Sequence, residues 1–170
     1  MTIVQPKLYY GILVWGHKAS KLHLLQKRAV RVISGAKYNA HADPLFKNLK
    51  ILKCEDIYKL QILKLYHNIV NHLSPNYFRN LPLIRSNEIH DYNTRTNSNF
   101  YKPHVRLAQT RNCVVIKLAD IINSTNPSII SKLLTHSLTG FANYIKTVTL
   151  QDYKTYCTIE NCYICQHNVE

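Results

Sequence analysis

Glycine and proline are scarce in this chain, and that scarcity limits its fold more than any single motif does. Four Gly and six Pro are spread over 170 residues, and the stretch 45–74 contains neither. An all-β chain needs such residues at its tight turns, whereas helices exclude both from their interiors. An apolar fraction of 46% supplies enough material for a buried core and argues against wholesale disorder. The expectation is a mainly α chain, long enough for one domain or a small domain with a tail.

Punctuation and periodicity place the helices. Ser20 to Gly35 is the clearest, with Ser20 suited to cap the first turn and Gly35 to the left-handed residue that ends it. At 100° per residue, Leu22, Leu25, Ala29, Val32 and Ile33 gather on one face, with Lys21, Lys27, Arg28 and Arg31 on the other. Asp43-Pro44 opens a short helix through Lys50, with the Asp as cap and the Pro at the first helical position. A longer helix runs from Glu55 to His72. Its wide apolar face (Tyr58, Ile62, Leu63, Leu65, Tyr66, Ile69, Val70 and Leu73) marks it as the central helix of a bundle.

Beyond Ser74-Pro75 the chain turns polar. Residues 81–112 read as a long surface segment, extended or disordered when alone. Asn126-Pro127 opens a helix to Thr135, and another spans Ser137 to Tyr153, although Gly140 weakens its first turn. Val114–Ile122 is too short and too uniformly apolar for periodicity to assign. The expected organisation is a small helical bundle over 1–78, a polar linker over 79–112, a looser helical region over 113–154 and a Cys-rich tail over 155–170.

The charge is lopsided, with 22 Lys+Arg against nine Asp+Glu and a formal net charge of +13. Between His17 and Lys53 stand Lys18, Lys21, Lys27, Arg28, Arg31, Lys37, Lys47, Lys50 and Lys53, with Asp43 as the lone acid. A polyanion is the first partner such a surface suggests, and nucleic acid the commonest polyanion; a solvated basic face is the plainer alternative. A membrane partner is not expected, because no basic helix has an otherwise open apolar face and no stretch reaches the length of a span. The apolar run in Met1–Gly16 is broken by Lys7 and two tyrosines and does not read as a signal peptide. Five cysteines without that signal are expected to be reduced, which points to a cytoplasmic or nuclear protein, not a secreted one.

A family pattern emerges from the order of these pieces. Tyr10-Gly11-Ile12-Leu13-Val14-Trp15-Gly16, followed by Leu25-Gln26-Lys27-Arg28-Ala29-Val30-Arg31, resembles the thumb of jockey-like non-LTR retrotransposon reverse transcriptases. The resemblance continues through Asp43-Pro44-Leu45-Phe46 and Asp56-Ile57-Tyr58-Lys59-Leu60. Leu73-Ser74-Pro75-Asn76-Tyr77-Phe78 and Tyr92-Asn93-Thr94-Arg95 are similar to the segment that follows the thumb in that family. Thr135-His136-Ser137, Gly140-Phe141 and the cysteine tail resemble its extreme C-terminus. No one piece is specific; their order and spacing are.

The resemblance implies a thumb-like bundle that follows template–primer duplex, in a family of RNA-directed DNA polymerases from mobile elements. The family's Tyr-x-Asp-Asp turn would lie upstream of everything here, and the sequence contains no Asp-Asp pair. Met1 falls within what would be the thumb, so the expectation is a non-catalytic C-terminal fragment that grips RNA or an RNA–DNA duplex, partnered by the rest of the reverse transcriptase if part of a longer chain. Two alternatives stay open: a free-standing, zinc-dependent nucleic-acid-binding protein derived from such an element, and an inactive translated relic.

The chemistry agrees with a non-enzymatic role. Nucleotidyl transfer needs carboxylates holding two divalent metals about 4 Å apart, whereas Glu55-Asp56 is the only adjacent acidic pair and suits a helix first turn. No phosphate-cradling Gly-rich loop and no nucleophile elbow occur. For nucleic-acid contact the candidates are Lys21, Lys27, Arg28, Arg31 and Lys37, each able to neutralise a phosphate. Tyr9, Tyr10 and Trp15 are candidates for base stacking or for the core. Arg95, Lys102, Arg106 and Arg111 decorate a segment that either orders on RNA or stays a solvated loop. Cys157, Cys162, Cys165 and His167 are four zinc-type ligands within one short tail, to be weighed against reduced thiols at a frayed terminus. Cys54 and Cys113 read as packing residues, and no cofactor is required.

Overall fold

A computed structural model describes residues 4–156 apart from 80, 82, 91, 93 and 94, and among these the only strand-like pairing is one antiparallel bridge between Arg85 and Phe100. The chain is mainly helical. Its helices are α1 (Val4–Tyr9), α2 (Ile12–Trp15), α3 (Ser20–Ile33), α4 (Ala42–Asn48), α5 (Cys54–Val70), α6 (Asn76–Arg79), α7 (Ala108–Arg111), α8 (Val114–Ser124), α9 (Pro127–Thr135) and α10 (Leu138–Asp152). Short 3-10 turns occupy Gly16–Lys18 and Ser86–Glu88.

The helix predicted to be central is so. Ile57, Tyr58, Leu60, Ile62, Leu63, Tyr66 and His67 of α5 are all buried, and residues so spaced leave the helix on several sides. α8 and α10 make its most extensive contacts, with α2, α3 and the Gly16–Lys18 turn next. One apolar cluster therefore runs from Ile12 through Phe46 and Ile62 to Leu118, Phe141 and Tyr153. Glu55 and Asp56 do sit in the first turn of α5. Leu73, expected on its buried face, is exposed. The helix stops at Val70, and His72 takes a left-handed φ of 57°. The Leu73 N–H then returns to the Asn68 carbonyl at 2.8 Å, a helix-ending closure that redirects the chain.

Two caps arise where local chemistry places them. Asn126 Oδ1 accepts from the Ser128 N–H at 3.0 Å with Pro127 opening α9, and Ser137 Oγ accepts from the Gly140 N–H at 3.3 Å at the start of α10. Two others are corrected. Ser20 is not a cap: the Gly16–Lys18 turn runs directly into α3, with the Ala19 N–H on the Gly16 carbonyl and the His23 N–H on the Ala19 carbonyl. Asp43 is not a cap either, since α4 begins one residue earlier, after His41, and Asp43 turns to Lys53 at 3.0 Å. Val114–Ile122, which periodicity left unassigned, lies in α8 and buries Ile116, Leu118, Ala119 and Ile122.

The polar segment before α7 is largely irregular and is pinned most firmly at Phe100. Phe100 donates its N–H to Asn123 Oδ1 at 2.9 Å and accepts from Asn123 Nδ2 at 2.8 Å, so one side-chain amide serves both backbone groups. Its ring stands edge-on to Tyr66 and beneath the Arg85 guanidinium.

Candidate nucleic-acid interface

α3 carries most of the residues proposed to meet nucleic acid, so its orientation decides what that surface offers. The apolar stripe expected to face the core does not. Leu25, Ala29, Val32 and Ile33 are exposed, Val32 at 81%, and Leu22 is half-buried. The buried side instead carries Ala19, His23, Gln26 and Val30. At the 3.6-residue helical repeat, that side is centred about 100° around the axis from the apolar stripe.

Gln26 supplies the reason. Its Nε2 donates to the Leu52 carbonyl at 2.8 Å, and its Oε1 accepts from the Cys54 N–H at 3.0 Å. The connection into α5 has no side-chain cap of its own, so Gln26 satisfies two backbone groups there. Leaving such a buried group unpaired costs about 1–3 kcal/mol, comparable with burying an aliphatic side chain. His23 stacks on Phe46 beside it, with ring centroids 6.0 Å apart. Close approach of the preceding turn is set by Gly16, where an added Cβ would lie 2.3 Å from Tyr58 Cδ2.

The exposed half of α3 is thereby divided lengthwise into an apolar shoulder and a basic one. Lys21 and Arg28 stand exposed on the basic side, two turns apart, with Leu24 between them. Lys27 is half-buried at its edge. Lys37 is exposed just beyond the helix end, where Gly35 takes the expected left-handed φ of 62° and the Ala36 N–H reaches the Arg31 carbonyl. Arg31 differs from the others. Its Nε donates to the Ala40 carbonyl at 2.7 Å, anchoring the turn after α3.

The wider basic run divides in the same way. Lys53 pairs with Asp43 and lies over the Tyr153 ring, while Lys47 donates to the carbonyls of Gln151 and Tyr153. Tyr153 also accepts from the Lys53 N–H and donates its hydroxyl to Asp56. Burial and the Asp56 hydrogen bond raise its phenol well above the ordinary tyrosine range. These lysines lock α4, α5 and the end of α10 together. The ion pairs Lys53–Asp43, Lys59–Asp56 and Lys102–Asp120 all lie off α3.

The aromatic candidates part company too. Tyr9 and Trp15 are half-buried against the core, and Trp15 Nε1 donates to the Tyr10 carbonyl. Tyr10 is 86% exposed. In the polar segment Arg95 and Arg106 are exposed, Lys102 is held by Asp120, and Arg111 Nη2 donates to the Val105 carbonyl. A cleft of about 350 Å³ near the start of α3 combines Glu55 and Asp120 with Lys59 and Lys117, so it offers mixed charge. Cys157, Cys162, Cys165 and His167 lie outside the described residues; within these, no group of three or more metal-type ligands occurs. Cys54 is buried, its thiol pushed up to about 11 by desolvation, and Cys113 is half-buried. No described helix is long and apolar enough to cross a membrane. α3 nevertheless overturns the reason given against surface association, because this basic helix does leave an apolar face open. No family model, curated protein or solved structure matches the chain.

Proposed function

We propose that this chain is the non-catalytic C-terminal part of a jockey-like non-LTR retrotransposon reverse transcriptase, and that it grips RNA or an RNA–DNA duplex through the basic shoulder of α3. The ordered motif resemblance along the chain supports the family. The observation that carries the binding reading is the exposure of Lys21 and Arg28 on a helix with no acidic residue. Their spacing of two helical turns is about 10 Å along the axis, so they can meet separate phosphates of one backbone. Lys37 extends the surface past the helix end. Contacts of this kind carry no sequence information, so recognition depends on backbone charge and shape.

The test replaces Lys21, Arg28 and Lys37 together with Ala and leaves Arg31 in place, because its hydrogen bond to Ala40 ties its loss to folding. Circular dichroism should be unchanged, since Ala favours helix. The slope of log affinity against log salt should shrink by about two to three units for unrelated RNA sequences. Lys132→Ala with Lys146→Ala, in α9 and α10, should change it less. An unaltered slope in the triple variant would reduce the basic shoulder to a solvated surface. The same reading requires that the purified chain extend no primed template with magnesium or manganese.

A further inference from the structure

The apolar shoulder of α3 is not used by nucleic-acid binding and is not covered by any described part of the chain. We infer that Leu22, Leu25, Ala29, Val32 and Ile33 dock an amphipathic helix of a partner protein, one with acidic side chains along one edge of its apolar stripe.

The shape of the surface selects a helix. The five residues recur at the three- and four-residue spacing of a single stripe about three turns long, the footprint of helix-in-groove recognition. Leu25 and Ile33 remain 57% and 56% exposed and Val32 81%, although the same helix turns a half-buried glutamine inward. The stripe runs from the outermost line of α3 down one side toward its buried edge, where Leu22 is half-buried. It is therefore a shoulder, suited to an elongated element lying alongside.

Charge selects the partner's chemistry. Lys21 and Arg28 border the stripe along its outer edge, Lys18 stands exposed just ahead of α3, and α3 itself has no acid. A helix seated on the stripe would place one of its flanks against these cations, where Asp or Glu is favoured and Lys or Arg disfavoured. A second copy of this chain fits poorly, since pairing α3 with α3 sets Lys21 and Arg28 against their own kind. A flat anionic lipid surface would meet the outermost line, where Lys21, Arg28 and Val32 stand, while Ala29, Leu22 and Ile33 run down the side away from it, so it would engage only part of the stripe. Nucleic acid gains nothing from aliphatic contact on this side.

The experiment displays a library of helical peptides with apolar residues fixed at i, i+3, i+4 and i+7 and all flanking positions randomised, and selects on the full chain. Enriched peptides should carry Asp or Glu along one flank. They should bind at least tenfold more weakly to Leu25→Gln/Val32→Gln and several-fold more weakly to Lys21→Glu/Arg28→Glu. Both positions of the first variant are solvent-exposed, so its circular dichroism should match the parent, and because the change adds no charge beside Lys21 and Arg28 its RNA salt slope should be unaltered. That separates failure here from failure of the nucleic-acid reading. The inference is overturned if no peptide is enriched, if enriched flanks are neutral or basic, or if Leu25→Gln/Val32→Gln binds them equally. It is also overturned if the chain forms a dimer in sedimentation, or binds phosphatidylserine vesicles, in a manner abolished by that variant.

Discussion

α3 and α5 are opposite kinds of helix, and their fates invert what their patterns suggest. α3 is sharply divided between aliphatic and basic residues, yet most of its aliphatic side stays in solvent while His23, Gln26 and Val30 face inward. α5 is apolar nearly all round and becomes the hub that α8 and α10 pack against. A division along a helix shows that its sides differ. It does not show which side the rest of the chain covers, and hydrogen bonds to backbone can choose a side against the aliphatic count.

The largest test of that contrast compares one aliphatic residue from each helix. Ile62→Ala in α5 removes a fully buried side chain and should cost about 2–5 kcal/mol. Val32→Ala in α3 should stay within about 0.5 kcal/mol of the parent. Urea denaturation measures both, and equal losses would mean that the two helices are packed alike.

A narrower comparison uses neighbours on α3. Gln26→Ala leaves the Leu52 carbonyl and the Cys54 N–H without their side-chain partner, at a cost of about 1–3 kcal/mol. Leu25→Ala should cost less than half of that. Were the leucine the costlier loss, the account of why α3 sits as it does would fail.

The smallest effect concerns the buried start of α5. Its Cys54 thiol is raised from an ordinary 9.0 to about 11, so above pH 9 the unfolded chain loses a proton that the folded chain keeps. Stability from this group is complete below that pH and falls as pH rises toward 11, by on the order of 1 kcal/mol per pH unit at most. Denaturation at pH 8 and pH 10 should show the decline, and Cys54→Ala should lessen it. Leu25→Ala, at an exposed position of α3, should leave it unaltered.

Much of the fold was legible because the signals are local. The cap at Asn126-Pro127, the left-handed Gly35 and the breadth of the α5 face each depend on a few neighbouring residues. The orientation of α3 depends on backbone groups at 52 and 54, which nothing near Gln26 announces. The basic cluster was legible as a count and not as a surface. Arg31, Lys47 and Lys53 look like Lys21 and Arg28 in sequence, and only their partners at Ala40, Gln151, Tyr153 and Asp43 set them apart. The cysteine tail falls outside the described residues and contributes nothing to this comparison.

The lock around Tyr153 also has a timing consequence. Its hydrogen bonds to Asp56, Lys53 and Lys47 join positions 97 to 106 apart in the chain. During synthesis α5 is complete roughly seventy residues before α10 begins, which at about 5–20 residues per second leaves the hub waiting several seconds. Throughout that interval the side of α5 destined for α10 has no permanent cover on the ribosome. That face of α5 therefore stays open to premature association until α10 has emerged.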